Sequence, residues 1–380
     1  MIEFKHVSKV FRGDTVIDDI SFSIRSGEFV VLLGESGCGK TTTLKMINKL
    51  ILPSSGTIEI NGRDIAGIDP ITLRRRMGYV IQQIGLFPHM SIRDNVEVIA
   101  KLNSNDKDRI EEEAVKLMKM VNLDPNVFLD AYPSEMSGGQ QQRAGVVRAF
   151  MANPEIVLMD EPFSALDPIT RSQIQNALLE MQAELKRTIV FVTHDMDEAI
   201  RLADRICIME GGRITQFDTP ENILKNPANE FVRQFVGPKR IWTSPEYIRT
   251  KDIMILDPIC CHPKTPIFKC IEMMSLRRVD TLMVTDKYKR LYGVLYAEDL
   301  IGLKDDDLKR RAEDFMYRPF VSVGPDGSIV DLLTLFDEKG ISTLPIIDEQ
   351  GYIQGLITRS TLVNTLSRQF LADDGKEEGA

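Results

Sequence analysis

The chain has 380 residues, a formal net charge of −9 and five cysteines. This length exceeds what a single hydrophobic core serves, so we expect two or three domains. The acidic balance argues against a general nucleic-acid binder, which needs Lys and Arg in excess, and no apolar run approaches the ~20 residues that span a bilayer. The odd number of cysteines, without CxxC spacing, argues against a disulfide framework or a zinc site and indicates a reducing compartment.

Residues 1–240 alternate short β-rich runs with longer amphipathic stretches, which predicts an α/β domain with a largely parallel sheet. Buried strands are predicted at 29–33, 156–159 and 188–193, and helices at 41–50 and, as part of a helical insertion, at 103–120. Open α/β sheets bind ligands at the carboxyl ends of their strands. Asp160, Glu161 and His194, which follow two of these strands, are therefore candidates for one site.

A phosphate-binding loop follows the first predicted strand. Its pattern is Gly-x-x-x-x-Gly-Lys-Thr, and its residues are Gly34, Glu35, Ser36, Gly37, Cys38, Gly39, Lys40, Thr41 and Thr42. In such a loop, successive backbone N–H groups surround phosphates and the lysine reaches the β- and γ-phosphates. The Thr41 hydroxyl is a ligand for Mg²⁺, and Thr42 is expected to donate toward the α-phosphate. The loop predicts a nucleotide site with Mg²⁺.

The Asp-Glu pair after the second strand supplies the other groups that phosphoryl transfer to water needs, a metal ligand and a base. Four apolar residues precede the pair. We expect Asp160 to hold Mg²⁺ through its water shell and Glu161 to act as the general base.

The segment Met136 to Arg143 resembles the signature loop of ABC ATPases, with Met136 where that family usually has Leu. Leu and Met have similar volumes, so we expect the loop to keep its function. The resemblance implies a homodimer that binds ATP, in which the signature of one subunit closes over the nucleotide held by the other. The signature residues are Ser137, Gly138, Gly139 and Gln140.

Other positions match further motifs of the same family. Gln82 matches the Q-loop glutamine, which contributes to catalysis and contacts Mg²⁺; the adjacent Gln83 is the alternative. Asp167 matches the D-loop that crosses the dimer interface. The resemblance implies that His194 is the switch histidine, which contacts the γ-phosphate and the attacking water. Phe11 lies where the family places an aromatic ring that stacks on adenine; the alternative is a core aromatic in an edge strand.

The region after residue 240 contains an internal repeat with an offset of 62 residues. Asp252 to Met254 matches Asp314 to Met316, and Val279 to Asp286 matches Ile341 to Asp348. Such self-similarity marks two copies of one supersecondary unit. The region resembles a tandem of CBS domains, a regulatory module that packs as a pseudo-symmetric pair.

The expected organisation is a P-loop NTPase domain of the ABC type with a helical subdomain, followed by the CBS pair. The predicted divisions are the ATPase domain at 1–240, a linker at 241–251, CBS copies at 252–306 and 307–370, and a disordered tail at 371–380.

The sequence does not identify the ligand of the CBS pair. CBS domains that bind adenosine nucleotides show a Gly-x-x-Thr-x-x-Asp pattern, and each copy here has only part of it. Thr358 and Arg359 are the candidate residues for cyclic di-AMP or another adenosine nucleotide, the arginine through its planar fork. Thr343 stands where relatives that bind cyclic di-AMP have an aromatic residue. The alternative role is dimerisation or a response to ionic strength.

The combination of one ATPase domain with a CBS pair resembles the ATPase subunit of importers for quaternary amine osmoprotectants such as glycine betaine, carnitine and choline. The resemblance implies two copies at the cytoplasmic face of the membrane, under two permease subunits fed by an extracytoplasmic binding protein, with no nucleic acid. The alternatives are import of another small solute and a soluble ABC ATPase of DNA repair or translation. The long coiled coil and the second ATPase domain of those soluble types are not found in the sequence.

Overall fold

The computed structural model describes residues 1–82, 85–103, 106–164, 166–237, 240, 244–318 and 320–363. The chain divides into two compact units, Met1–Val236 and Gly237–Ala380. The tail predicted to be disordered and the alternative glutamine, Gln83, lie outside the described residues.

The first unit combines strands and helices in alternation. Its strands are β1 (Ile2–Phe11), β2 (Asp14–Ile24), β3 (Phe29–Gly34), β4 (Ser55–Ile60), β5 (Arg63–Asp64), β6 (Met77–Val80), β7 (Ile156–Asp160), β8 (Thr188–Thr193), β9 (Arg205–Glu210) and β10 (Arg213–Asp218). Its helices are α1 (Lys40–Ile47), α2 (Pro70–Arg75), α3 (Ile92–Asn103), α4 (Lys107–Met120), α5 (Pro125–Phe128), α6 (Gly138–Phe150), α7 (Pro168–Leu185), α8 (Met196–Leu202), α9 (Pro220–Lys225) and α10 (Glu230–Val236).

The central sheet of this unit has the strand order β10-β9-β3-β8-β7-β6. All neighbouring strands run parallel except β10, which is antiparallel to β9. Every residue of β3, β7 and β8 is buried, as expected for strands covered by helices on both faces. The predicted parallel α/β sheet is therefore confirmed. The carboxyl ends of β3, β7 and β8 meet at one edge and present the candidate site residues there.

A second, antiparallel sheet has the order β2-β1-β4-β5 and was not predicted. Strands β1 and β2 are joined by a turn in which both Arg12 and Gly13 have positive φ angles, 51° and 99°. Burial alternates along much of β2, which is typical of an antiparallel sheet with one face on the core.

The helical insertion consists of α3 to α6, among which α3, α4 and α6 pack together. The segment predicted as one helical stretch at 103–120 is divided, because Asn103 ends α3 and the Asp106 carboxylate caps α4 by accepting from the Arg109 N–H at 3.2 Å. Within the described ranges, no helix has both the length and the apolar character needed to cross a membrane.

The second unit contains the two copies of the repeat. Its elements are α11 (Thr250–Ile253), β11 (Cys260–Cys261), α12 (Ile267–Arg277), β12 (Thr281–Thr285), β13 (Leu291–Tyr296), α13 (Ile329–Lys339), β14 (Thr343–Ile347) and β15 (Ile353–Thr358). They form a β11-β12-β13 sheet and a β14-β15 hairpin.

The leading segment of each copy packs on the other copy. Ile255 donates its N–H to the Leu356 carbonyl at 2.8 Å, and Tyr317, 62 positions later, donates to the Val294 carbonyl at 2.7 Å. The hydrophobic cores show the same exchange: Ile253 lies in the core of the second copy, and Ala312 lies in the core of the first. The repeat is therefore a pseudo-twofold pair whose halves exchange their first segments.

Candidate active site

The phosphate-binding loop runs from the end of β3 to the start of α1. Gly39 caps α1 with a φ of 104°, and a Cβ there would lie 2.3 Å from Ile17 Cδ1, so only glycine fits. The Lys40 ammonium donates to the carbonyls of Gly34 and Glu35, each at 2.7 Å. The Lys40 ammonium thus lies at the phosphate-binding loop. The N-terminus of α1 also favours phosphate at this loop.

A hydroxyl and a carboxylate lie side by side next to this loop. Thr41 Oγ1, in the first turn of α1, donates to Asp160 Oδ1 at 2.7 Å, and Asp160 is the 4% exposed last residue of β7. On the neighbouring strand β6, burial and then the charge of Asp160 raise the pKa of Tyr79 to about 12.

The pair of oxygen donors fits Mg²⁺, which prefers hard oxygen ligands and keeps several water or phosphate ligands. No cluster of three or more His, Cys, Asp or Glu side chains able to hold a metal occurs in the part of the chain that the structure describes. Thr41 and Asp160 are the residues that would hold the ion at this site.

Three polar side chains from different segments meet beyond the ends of β7 and β8. Glu161 Oε2 accepts from Gln82 Nε2 at 3.2 Å and lies 3.5 Å from His194 Nδ1. Glu161 has a φ of 42°, a left-handed conformation that is costly for a residue with a Cβ, and its N–H donates to the Val192 carbonyl at 3.0 Å. The three candidate catalytic residues are thus brought together.

Phe11 ends β1 at the hairpin turn. Its side chain is 40% exposed, and the Lys9 ammonium lies 4.7 Å from the ring centroid. Strand β1 pairs with β2 on one side and β4 on the other. The alternative interpretation, a core aromatic in an edge strand, is therefore wrong.

The signature residues begin helix α6. Ser137 Oγ accepts from the Gln140 N–H at 3.3 Å, and Gln140 Oε1 accepts from the Ser137 N–H at 2.8 Å, which forms a capping box. A Cβ on Gly139 would lie 2.5 Å from Thr170 Cγ2, so glycine allows close packing against α7. The N-terminus of α6, including Gly138, presents a positive dipole end.

Asp167 caps helix α7. Its Oδ1 accepts from the N–H groups of Ile169 at 3.1 Å and Thr170 at 3.0 Å. Hydrogen bonds from Thr170 hold the pKa of the Asp167 carboxyl below its usual value. The preceding Ala165 lies outside the described residues.

Two charged residues next to the loops of Asp167 and His194, namely Arg171 and Glu198, were not predicted from the sequence. Each lies four positions after a predicted site residue, Asp167 and His194 respectively, in the first turns of α7 and α8. The sequence signal that could have identified them is a charged residue one helical turn after a motif. Glu198 is only 7% exposed, which a charged side chain tolerates only with partners.

A groove of about 310 Å³ lies beside the Gln82 segment. Its lining includes Met77, Ile81, Phe87, Val98, Ile99 and Arg148. Arg148 Nη1 donates to the Gly85 carbonyl at 2.8 Å, and burial lowers the pKa of this arginine. The groove therefore combines an apolar surface with a partly desolvated cation.

The second unit contains a larger cleft of about 760 Å³. Apolar side chains including Ile255, Met274 and Leu300 line it together with Arg278 and Thr358. An apolar lining with a few polar groups is typical of a small-molecule site.

Arg359 is directed elsewhere, although it follows Thr358 in the chain. Its guanidinium carbon lies 6.0 Å from the ring centroid of Phe336, and its Nη2 donates to the Phe336 carbonyl. In the 62-residue repeat, Arg359 corresponds to Ala297 and Phe336 to Met274, and both of these residues line the open cleft. At this pair of matched positions, the first copy has two residues that line the cleft, whereas the second copy has an arginine in contact with an aromatic residue.

Comparison with known proteins agrees with this architecture. The ABC transporter family model matches residues 17–164, and the CBS domain model matches residues 251–305 and 312–368. The glycine betaine/carnitine/choline transport ATP-binding protein of Bacillus subtilis is 44% identical, and the match covers 98% of each chain. The osmoprotectant import ATP-binding protein of Salmonella typhimurium is 42% identical over 97% of this chain and 96% of its own.

Solved structures match the first part of the chain. A dimeric ATP-binding cassette in a post-hydrolysis state, bound to ADP and Pi, is 30% identical, with a TM-score of 0.53, over 58% of this chain and 99% of its own. An ABC transporter component from Clostridium perfringens is 25% identical, with a TM-score of 0.57, over 64% of this chain and 93% of its own.

The fold and the site define an ABC transporter ATPase joined to a CBS pair. With 42–45% identity over nearly the whole length to such relatives, the chain belongs to the family of ATP-binding subunits of osmoprotectant ABC transporters.

Proposed function

We propose that two copies of this chain bind and hydrolyse ATP to drive the import of quaternary amine osmoprotectants such as glycine betaine, carnitine or choline. The substrate class is supported by the names of relatives that are 42–45% identical across both units. The observation that carries the catalytic proposal is the meeting of Gln82, Glu161 and His194 next to the paired Thr41 and Asp160.

Each side chain has a distinct role in this proposal. The loop from Gly34 to Thr42 surrounds the phosphates, and Lys40 leaves its two carbonyls to contact the β- and γ-phosphates. Thr41 and Asp160 hold Mg²⁺, with Gln82 as a further contact. When bound, the ion neutralises charge on the phosphate oxygens.

The hydrolytic step follows from the position of Glu161. Its carboxylate takes a proton from the attacking water, while His194 contacts that water and the γ-phosphate. The left-handed backbone of Glu161 aims this carboxylate into the cluster. Phe11 stacks on adenine, since its ring is accessible at the end of β1.

Closure of the site requires a second copy. Ser137, Gly138, Gly139 and Gln140 of one copy contact the γ-phosphate bound to the other, since the N-terminus of α6 favours an anion. Asp167 lies at the interface between the copies. A homodimer is supported by the likeness to a dimeric cassette bound to ADP and Pi.

The groove beside Gln82 is the proposed docking site for a permease helix. Its apolar lining and Arg148 suit an amphipathic helix laid into a groove. The chain then acts at the cytoplasmic face of the membrane, under two permease subunits that receive solute from an extracytoplasmic binding protein.

For the second unit we propose regulation by an adenosine nucleotide, cyclic di-AMP among the candidates. The CBS copies would span residues 252–306 and 307–370, after the ATPase domain at 1–240 and the linker at 241–251. The open cleft supports this role, with Thr358 as a polar contact. Arg359, the other candidate contact, would have to leave Phe336 to reach a phosphate.

Transport provides the test. The chain is produced together with a permease and binding protein of this transporter class in a host without osmoprotectant uptake, and entry of labelled glycine betaine, carnitine and choline is measured. We expect uptake of at least one amine, at least a 100-fold loss with Glu161→Gln, and no change with the exposed control Glu155→Gln. Uptake retained in Glu161→Gln contradicts the base assignment, and accumulation of only another solute contradicts the substrate class.

A further inference from the structure

The loop of Asp167 and the strand end that carries His194 are connected through a buried carboxylate. The Thr193 hydroxyl, directly before His194, donates to Glu198 Oε2 at 2.7 Å. The same hydroxyl accepts from the Asp195 N–H at 3.0 Å. Thr193 is 2% exposed and Glu198 7% exposed, so this contact is shielded from water and holds the end of β8 against α8.

Arg171 reaches the same carboxylate from the other loop. Its Nη2 donates to the Leu166 carbonyl, one residue before Asp167, at 3.1 Å. Its Nε lies 3.8 Å from Glu198 Oε1, and its Nη1 lies 3.7 Å from Asp195 Oδ2. The Arg171 guanidinium therefore lies between the backbone next to Asp167 and the carboxylates of Asp195 and Glu198. Both carboxylates follow His194 in the chain.

The connection is incomplete in the observed conformation. The 3.7–3.8 Å separations exceed hydrogen-bond length. Arg171 Nε is buried and has no hydrogen-bond partner among the described residues, a state that costs about 1–3 kcal/mol for a buried donor. A movement of roughly 1 Å would bring Arg171 Nε within bonding distance of Glu198.

We propose that Arg171 and Glu198 form a positioning pair that couples the Asp167 loop to His194, and that the bond between Arg171 Nε and Glu198 forms when two copies close on ATP. Movement of the Asp167 loop by the second copy is then transmitted through Leu166, Arg171 and Glu198 to Thr193. In this proposal neither residue has a direct role at the nucleotide. The inference depends on the proposed roles of Asp167 and His194.

The burial of the Glu198 carboxylate is consistent with a need for Arg171 as its partner. Burial raises the pKa of Glu198, and Asp195 acts in the same direction, whereas Thr193, Arg171 and His194 oppose the shift. The carboxylate is thus poorly solvated where it lies. A full bond from a guanidinium stabilises it more than the present longer contact does.

The test compares full-length variants in steady-state ATP hydrolysis. Arg171→Gln and Glu198→Gln remove the charges of the pair, and the Gln side chain at 198 keeps an acceptor for the Thr193 hydroxyl. Arg201→Gln is the matched control, because Arg201 also joins α8 to α7. It donates to the side chains of Ser172 at 3.3 Å, Gln175 at 3.1 Å and Asn176 at 2.6 Å, all within α7, and has no recorded bond to Leu166, Thr193 or Glu198.

We expect each change of the pair to lower kcat at least 10-fold with less than a threefold change in the KM for ATP. Since the two residues act as one unit, the double variant should be no slower than the worse single variant. Arg171→Lys keeps a charge but not the fork and should recover part of the rate, and this variant also serves if Arg171→Gln does not fold.

Three results overturn the proposal: multiplicative losses in the double variant, an equal loss of kcat in Arg201→Gln, or a loss that appears only as a higher KM. The wild type and Glu161→Gln are measured alongside. If the wild type hydrolyses ATP, Glu161→Gln does not, and the pair behaves like the control, the pairing is wrong while the catalytic proposal stands. If Glu161→Gln retains turnover, the catalytic proposal itself is wrong.

Discussion

The two copies of the repeat differ at a residue that lines the cleft of the second unit. Ala297 leaves the first cleft accessible, and Arg359 at the corresponding position lies over Phe336. An arginine held by a ring and a backbone carbonyl fills space and brings a positive charge. We therefore expect side-chain size at position 297 to control ligand access to the cleft that Ala297 lines.

This difference predicts the effect of Ala297→Arg. The larger side chain should fill part of the open cleft, and binding of cyclic di-AMP or AMP should weaken at least 10-fold. Calorimetry on the full chain carrying Lys40→Ala, which disables the phosphate-binding loop, measures this. Ala297→Ser, which adds only one oxygen at the same position, is the control and should leave binding at the open cleft unchanged. Unaltered affinity in Ala297→Arg, or no binding of either nucleotide before the change, would contradict ligand binding at this cleft.

At the same scale, the phosphate-binding residues could be predicted because their chemistry depends on local spacing. Gly39, Lys40 and Thr41 are neighbours in the chain, and the loop geometry follows from their order. Arg171 and Glu198 are 27 positions apart and meet only because α7 and α8 flank the same sheet. Local sequence spacing cannot predict such a contact, so this pair could be identified only from the fold.

At the scale of helices and strands, the hydrophobic pattern of the sequence predicted some elements and not others. Strands β3, β7 and β8 are continuous apolar runs, so their burial was predictable. The antiparallel sheet depends on pairing β1 with β4 across more than 40 residues, and its register contains irregularities near Val7. Such long-range pairing is not recorded in local periodicity.

The exchange of leading segments in the CBS pair gives a prediction about two glycines. A Cβ on Gly355 would lie 2.7 Å from Met254 Sδ and 2.9 Å from the Ile255 carbonyl oxygen, whereas the three atoms nearest to a Cβ on Gly293 all belong to the Met316 side chain, the first at 2.8 Å. A flexible methionine yields more easily than backbone. Gly355→Ala should therefore cost more, about 1–3 kcal/mol of unfolding free energy, than Gly293→Ala.

Denaturant unfolding of the full chain, followed through the second unit, measures these costs. Gly324→Ala is the matched control, since a Cβ there meets nothing within 4 Å. Equal stability of Gly355→Ala and Gly324→Ala would show that the exchanged segments do not pack as described.

At the scale of the whole molecule, the proposed site is complete only when two copies meet. Lys40, Thr41, Asp160, Glu161 and His194 belong to the site of their own copy, while the signature at the start of α6 has its proposed ligand on the other copy. In this proposal, ATP binding brings the two copies together and hydrolysis releases them. The proposed permease partners would then receive this closing and opening motion.

The most direct measurement is sedimentation of the Glu161→Gln variant with and without Mg²⁺ and ATP. Removing the base should leave closure intact and stop hydrolysis, so ATP should produce a stable closed dimer with ATP trapped at one molecule per copy. Adding Ser137→Arg, which places a bulky side chain at the capped start of α6, should abolish both the ATP-dependent change in sedimentation and the trapping. Sedimentation unaffected by ATP, or trapping that survives Ser137→Arg, would contradict a nucleotide site shared between two copies.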